Sequence, residues 1–142
     1  MKKASVLVLA LFFILAAASA IQAETQGTED AQGTAPLFKV NQMVIAGSLE
    51  NKRPVGIVNV FSSSTEKVHC YVEATHITED TNITLVWHRN NRAISRITLP
   101  LKKGLIWRTN AYKSLLGAKG DWKVDLQDAD GKVVKTVGFI VE

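Results

Sequence analysis

One stretch of the chain carries positive side chains and no negative ones: between Thr81 and Gly120 there is no aspartate or glutamate. Arginine and lysine side chains bind phosphate and carboxylate groups, and arginine does so through a planar fork of N–H donors. We therefore predict a basic surface within residues 89–119 that binds an anionic component such as an acidic glycan or lipopolysaccharide phosphate. The alternative is that acids on neighbouring strands pair with these bases. The candidate ligand-binding residues are Arg89, Arg92, Arg96, Arg108, Thr109 and Lys113.

Two histidines and a glutamate raise a second, weaker hypothesis, a metal site. If residues 68–76 and 83–89 pair as an antiparallel hairpin, His69 lies opposite His88, and Glu73 lies on the same face. Imidazole nitrogens and a carboxylate oxygen are suitable ligands for Zn²⁺ or Cu²⁺. The hypothesis depends on the assumed pairing, and the alternative is two exposed histidines beside polar neighbours. No cofactor is predicted.

Catalytic motifs are missing from the sequence. No serine lies in a G-x-S-x-G turn, and no pair of carboxylates stands out by its spacing. The single cysteine, Cys70, alternates with Val68 and Val72, which favours a small buried apolar residue over a nucleophile. One cysteine also excludes a disulfide within the chain and a cysteine-based zinc cluster. We therefore predict no catalytic residues and no enzymatic activity.

The N-terminal residues have the pattern of a signal peptide. Lys2 and Lys3 precede an apolar run over residues 4–17, and small-residue sites allow cleavage after Ala20 or Ala23. We predict a signal peptide over residues 1–23, a flexible polar linker over 24–36, and a periplasmic or secreted protein. The alternative is that the segment is retained as an anchor, although the run is shorter than the roughly 20 residues that a membrane span needs. After cleavage, no membrane span is expected.

The overall charge gives little support to nucleic-acid binding. The 17 lysines and arginines exceed the 13 acids by four, and two of those lysines belong to the predicted signal peptide. Nucleic-acid-binding domains carry a far stronger basic excess. We therefore predict that nucleic acid is not a partner.

Apolar and polar residues alternate along most of the chain from residue 37 onward, which is the pattern of strands with one buried face. The clearest unit joins residues 122–126 to residues 137–141 around Asp130-Gly131, a dipeptide typical of two-residue hairpins. That hairpin would place Trp122 near Phe139. Residues 37–142 are therefore predicted to form a single all-β domain, an immunoglobulin-like antiparallel β-sandwich of about seven or eight strands.

The three tryptophans, Trp87, Trp107 and Trp122, could form a platform that stacks against sugar rings. Alternation instead places all three on inward faces. Buried tryptophans supply much of the burial energy of a small domain, so we favour core packing.

Residues from about 40 to 141 resemble the bacterial family called domain of unknown function 2914. The Trp-Arg-Thr and Gly-x-Trp-x-Val pieces are the most specific parts of the resemblance. The matching features are Arg53-Pro54, Trp87-His88, Trp107-Arg108-Thr109 with Lys113, Gly120-Asp121-Trp122-Lys123-Val124, Asp130-Gly131 and Phe139. Membership would imply an extracytoplasmic or envelope β domain, and it would imply no reaction.

Two functions remain open at this point. The first is a non-enzymatic interaction module that contacts an envelope protein through sheet edges and loops. The second is a carbohydrate- or polyanion-binding module that uses the basic segment. The identity of the partner and the oligomeric state are not fixed by the sequence.

Overall fold

The structure is a computed structural model, and it describes residues 35–142. The predicted signal peptide and most of the predicted linker, residues 24–34, lie outside the described residues. Within residues 35–142, no helix is long and apolar enough to cross a membrane.

Nine strands make up the described part of the chain, and they form two sheets. The front sheet has the strand order β2-β1-β4-β7, and the back sheet has the order β3-β9-β8-β5-β6. All pairs are antiparallel except β3 with β9. The strands are β1 (Lys39–Glu50), β2 (Arg53–Ile57), β3 (Val60–Phe61), β4 (Lys67–Ile77), β5 (Thr81–Arg89), β6 (Arg92–Leu101), β7 (Gly104–Ser114), β8 (Gly120–Gln127) and β9 (Val133–Val141). The prediction of an all-β sandwich is confirmed, with nine strands in place of seven or eight.

The core lies between the two sheets and is built by the alternation seen in the sequence. On β4 the even-numbered residues from Val68 to Ala74 are buried, and on β5 the odd-numbered residues from Ile83 to Trp87 are buried. Phe139 is at the centre of an aromatic group on the inner face of the back sheet. Its ring centroid lies 5.7 Å from those of Phe61 and Trp122 and 6.4 Å from that of Trp87.

The β8–β9 hairpin has the predicted register but a different turn. Trp122 pairs with Phe139, and Val124 pairs with Val137. The connection, however, spans residues 128–132, so the two-residue turn is wrong. The Asp128 carboxylate accepts hydrogen bonds from the backbone N–H groups of Asp130 and Lys132 and closes a longer loop.

The predicted pairing of residues 68–76 with residues 83–89 is wrong. β4 pairs with β1 and β7 in the front sheet, whereas β5 pairs with β6 and β8 in the back sheet. Both strands still turn their apolar faces to the core. Alternation is satisfied equally well by two strands side by side and by two strands facing each other across the core, and here they face each other.

Candidate functional site

The β1–β2 hairpin bends over the outer face of the front sheet. Glu73 pairs with Gln42 on β1, whereas Arg53 pairs with Glu50 at the other end of that strand. Arg53 Nη1 nevertheless lies 3.6 Å from Glu73 Oε2. Tyr71, also on the outer face, is only 1% exposed. The tip of the hairpin therefore covers part of a face that would otherwise be open to water.

Glu73 lies at the base of this covered region and is 7% exposed. Its Oε1 accepts a hydrogen bond of 2.7 Å from Asn41 Nδ2, and its Oε2 accepts one of 2.7 Å from Arg108 Nε. The Tyr71 hydroxyl donates a longer hydrogen bond of 3.4 Å to Oε2. Glu73 and Arg108 are direct cross-strand neighbours in the pairing of β4 with β7.

These contacts keep the carboxylate charged. The hydrogen bond from Asn41 lowers the pKa of the Glu73 carboxyl below its ordinary value of 4.5, and the guanidinium groups of Arg108 and Arg53 lower it further. Together they outweigh burial, which raises the pKa. At neutral pH, Glu73 is therefore a buried anion between two cations.

A cleft of about 590 Å³ opens between the hairpin tip and the front sheet. Arg53 and Arg108 both reach it, with side chains that are 58% and 37% exposed. The acid closest to them, Glu73, lies beneath the cleft, where it forms ion pairs with both arginines. The lining residues are Asn51, Lys52, Arg53, Tyr71, Arg108, Thr109 and Asn110.

The six predicted ligand-binding residues do not share one surface. Arg108, Thr109 and Lys113 lie on β7 in the front sheet, whereas Arg89, Arg92 and Arg96 lie on β5 and β6 in the back sheet. By register, Arg96 is on the outer face of the back sheet, opposite Val86, while Arg108 is on the outer face of the front sheet. Of the six, the cleft takes in Arg108 and Thr109.

Part of the basic segment forms the acid–base pairs that were the alternative reading. Arg108 pairs with Glu73 at 2.7 Å, and Lys102 lies 3.8 Å from Asp80. The Arg89 guanidinium instead donates to the backbone oxygen of Lys119 at 2.8 Å.

Sequence reasoning missed Lys52 and Arg53 as lining residues. A signal was present, because Asn51-Lys52 separates two alternating segments and forms the turn between them. Both residues have a positive φ, of 49° and 61°, as a tight hairpin turn requires. The bend that carries this turn over the sheet has no such signal in the sequence.

The three predicted metal ligands are not brought together. His69 and Glu73 lie on the front sheet and His88 lies on the back sheet, so the pairing on which that site depended is wrong. The His69 ring packs near Tyr112, and His88 Nε2 lies 2.9 Å from Asp125 Oδ2. Within residues 35–142, no group of three His, Cys, Asp or Glu side chains could hold a metal ion.

The three tryptophans have the predicted inward orientation. Trp87 and Trp122 are buried in the core, and Trp107 is partly buried and packs against it. Cys70 is buried as predicted.

Comparison with known proteins identifies part of the chain. Residues 80–141 match the family model described as "Protein of unknown function (DUF2914)". This match supports the resemblance of the chain to DUF2914, and it covers 62 of the 142 residues. The DUF2914 match runs from the residue before β5 to the end of β9, so it contains Arg108 and Thr109 of the cleft but not Glu73 or Arg53.

The solved structures that match this chain include two β-glucosidases. The enzyme from Kluyveromyces marxianus is 11% identical, with a TM-score of 0.44 over 74% of this chain and 14% of the enzyme. The enzyme from Listeria innocua in complex with glucose is 9% identical, with a TM-score of 0.46 over 73% of this chain and 15% of the enzyme. The chain thus spans about one seventh of the length of these enzymes. No curated protein matches this chain in sequence.

Proposed function

We propose that residues 37–142 form a non-enzymatic binding module of the bacterial envelope that takes a carboxylate of an acidic glycan into the cleft under the β1–β2 hairpin. The observation that carries the proposal is the charge of the cleft. Lys52, Arg53 and Arg108 line it, and the acid beside them, Glu73, is buried beneath. Three cations against one acid leave an excess of positive charge for an anionic ligand.

Arg108 is preorganised for such a ligand. Its Nε donates to Glu73, which fixes the orientation of the guanidinium plane and leaves the two terminal nitrogens free to form a bidentate contact with a carboxylate. Arg53, more exposed and 3.6 Å from the same carboxylate, would add a second cation from the hairpin side. A ligand held between them would bridge the hairpin and the sheet.

The uncharged lining suits a sugar. Asn51 and Asn110 offer amide groups that hydrogen-bond to sugar hydroxyls. A volume of about 590 Å³ also lies within the range of small-molecule sites. These features favour a glycan that carries an acid group over a bare ion.

The chemistry of the cleft supports binding without turnover. Hydrolysis of a glycosidic bond ordinarily needs two carboxyl groups on either side of that bond. The acid at the base of the cleft, Glu73, is held in ion pairs with Arg108 and Arg53. The signal-peptide pattern of residues 1–23 supports a location in the envelope.

The test is binding of hexagalacturonate to the full chain by calorimetry, with uncharged maltohexaose as the control ligand. We expect Arg53→Gln and Arg108→Gln each to weaken binding about tenfold or more, since each removes a charged hydrogen-bond donor. Arg96→Gln removes an exposed arginine from the back sheet and should leave binding unchanged. Equal losses in all three variants, or equal binding of both glycans, would contradict the proposal.

A second candidate function is interaction with an envelope protein through the free edge of β7. This strand of 11 residues pairs with β4 alone among the described strands, and it exposes Leu105 and Ile106 near its start. An edge of this kind accepts an added strand. Capture from the native envelope fraction at high salt should retain a partner protein with Arg108→Gln as bait and lose it with Ile106→Lys; retention by both baits would argue against the edge.

A further inference from the structure

One end of the sandwich combines a solvent-exposed apolar side chain with a local excess of positive charge. This basic end consists of the β5–β6 turn, the β7–β8 loop (residues 115–119) and the start of β4. It carries five cations and three acids: Lys67, Arg89, Arg92, Lys113 and Lys119 against Glu66, Asp121 and Glu142. No acid occurs within residues 113–120 or 89–92, so every charged side chain of the loop and of the turn beside it is positive.

Leu116 is at the tip of the β7–β8 loop and is 91% exposed. Its φ of 51° and that of Gly117, 71°, both lie in the left-handed region. Leucine adopts this region at a cost in free energy that glycine or asparagine would largely avoid. Both the exposure and the backbone conformation of Leu116 therefore lower the stability of the domain by itself.

The loop that carries Leu116 is fixed at both ends. The Ala118 N–H donates to the Leu115 oxygen at 2.9 Å, and Trp122 Nε1 donates to the Ala118 oxygen at 3.0 Å. Arg89 Nε donates to the Lys119 oxygen at 2.8 Å. Leu115 is buried in the core. These contacts hold the loop in place and keep Leu116 pointing outward.

We propose that the basic end docks on an anionic lipid bilayer, with Leu116 inserted at the boundary between headgroups and acyl chains. Apolar side chains flanked by lysine and arginine bind membrane surfaces in this way, because burial of the apolar group and attraction to acidic headgroups add together. Lys113 and Lys119 flank Leu116 in the chain and would contact lipid phosphates. This surface is separate from the cleft that Glu73 and Arg108 form.

The opposite end of the sandwich provides the matched comparison. Leu105 is exposed there to a similar degree, 78%, at the start of β7. The four cations of that end are balanced by four acids, and Asp80 already engages the backbone of Lys103 and the side chain of Lys102. The charged residues are Lys39, Lys102, Lys103, Lys132, Glu79, Asp80, Asp128 and Asp130. The charge balance therefore favours docking on an acidic membrane at the basic end and not at the opposite end.

A fluorescent probe attached at either end distinguishes the two surfaces. Leu116→Cys and Leu105→Cys variants of the full chain would carry an environment-sensitive label, while buried Cys70 stays unlabelled. The vesicles are phosphatidylcholine, with or without about one third phosphatidylglycerol. The label at position 105 controls for insertion of the apolar N-terminal run, because Lys2 and Lys3 would also draw that run to acidic vesicles.

We expect the label at position 116 to brighten with phosphatidylglycerol vesicles and not with neutral ones, and the label at position 105 to respond to neither. Lys113→Ala or Lys119→Ala should each raise the lipid concentration at half-maximal signal about fivefold, which corresponds to the usual contribution of one lysine near an acidic surface. Equal responses at both positions, or no response at position 116, would overturn the proposal.

Discussion

Glu73 is the residue on which the cleft depends. A carboxylate on the outer face of a sheet ordinarily lies in water, whereas Glu73 is covered by the β1–β2 hairpin and contacts Asn41 and two arginines. An unpaired charge at this depth would be costly, and the paired one fixes the orientation of Arg108. The same group therefore serves both stability and the geometry of the site.

Replacement of Glu73 by glutamine should make stability less dependent on pH. Because the pKa of Glu73 is lowered in the folded chain, its contacts stabilise the fold above the ordinary pKa of 4.5, and this contribution is lost as the pH falls through the folded pKa. We expect Glu73→Gln to cost about 1.5–3 kcal/mol at pH 7 and less below about pH 4. Urea unfolding followed by tryptophan fluorescence measures both values.

Glu79→Gln is the control for this prediction. Glu79 is exposed in the loop between β4 and β5, so its loss should change stability little at either pH. A Glu73→Gln effect of the same size at pH 7 and at pH 3 would mean that the charge is not what stabilises the fold.

At the scale of single residues, part of the site could be predicted from sequence. Arg108 and Thr109 were found because they lie in a basic stretch, and both line the cleft. Glu73 was singled out for the wrong chemistry, since spacing along one strand does not reveal which side chains lie across from it. The contribution of Arg53 depends on a bend of the chain, which no local pattern encodes.

At the scale of the elements, two hairpins have the same turn chemistry. Asn51 and Lys52 in the β1–β2 turn, and Asn90 and Asn91 in the β5–β6 turn, all have positive φ between 48° and 64°. Asparagine adopts this region at little cost in free energy, whereas lysine adopts it at a larger cost. The turn that covers the cleft is therefore strained at Lys52.

We expect Lys52→Gly to raise the unfolding free energy by about 0.5–1 kcal/mol, since asparagine followed by glycine is the preferred pair for such a turn. Asn91→Gly is the matched variant and should gain less, because asparagine already accepts the conformation. Thermal unfolding of the two variants gives the comparison. A larger gain at position 91 would contradict the assignment of strain to Lys52.

Strand positions were more predictable than strand partners. Alternation located the main strands and the register of the β8–β9 hairpin, because side chains on one face must be apolar to be buried. It did not assign β4 and β5 to separate sheets, because each strand meets the core with the same pattern in either arrangement. The five-residue β8–β9 loop was also missed, since the hydrogen bonds of the Asp128 side chain decide it.

At the scale of the whole molecule, stability depends on the packing between the sheets. Phe139 contacts the three aromatic residues Phe61, Trp87 and Trp122 on the inner face of the back sheet. We expect Phe139→Ala to cost about 3–5 kcal/mol of unfolding free energy, through lost burial and the cavity left behind. Its neighbour Ile140 is exposed, so Ile140→Ala should cost under about 1 kcal/mol in the same urea titration. Similar losses in both variants would contradict this description of the core.

Cys70 should report global unfolding. It is buried in the core, and burial raises the pKa of its thiol to about 12, so the reactive thiolate is scarce in the folded chain. Labelling by a maleimide at pH 7 should be negligible in buffer and should rise with urea along the same curve as tryptophan fluorescence. Rapid labelling in buffer would show that the core opens locally around β4.

The position of β9 has a consequence for synthesis of the protein. This strand lies between β3 and β8, and its pairing brings Val60 beside Ile140. Long-range pairings of this kind form slowly, because the intervening chain must first be ordered. Until residue 141 is available for pairing, during synthesis or afterwards, the back sheet stays open, and β3 and β8 present bare edges that can pair with other chains. A cell that makes this protein must therefore keep the unfolded chain shielded until β9 has paired.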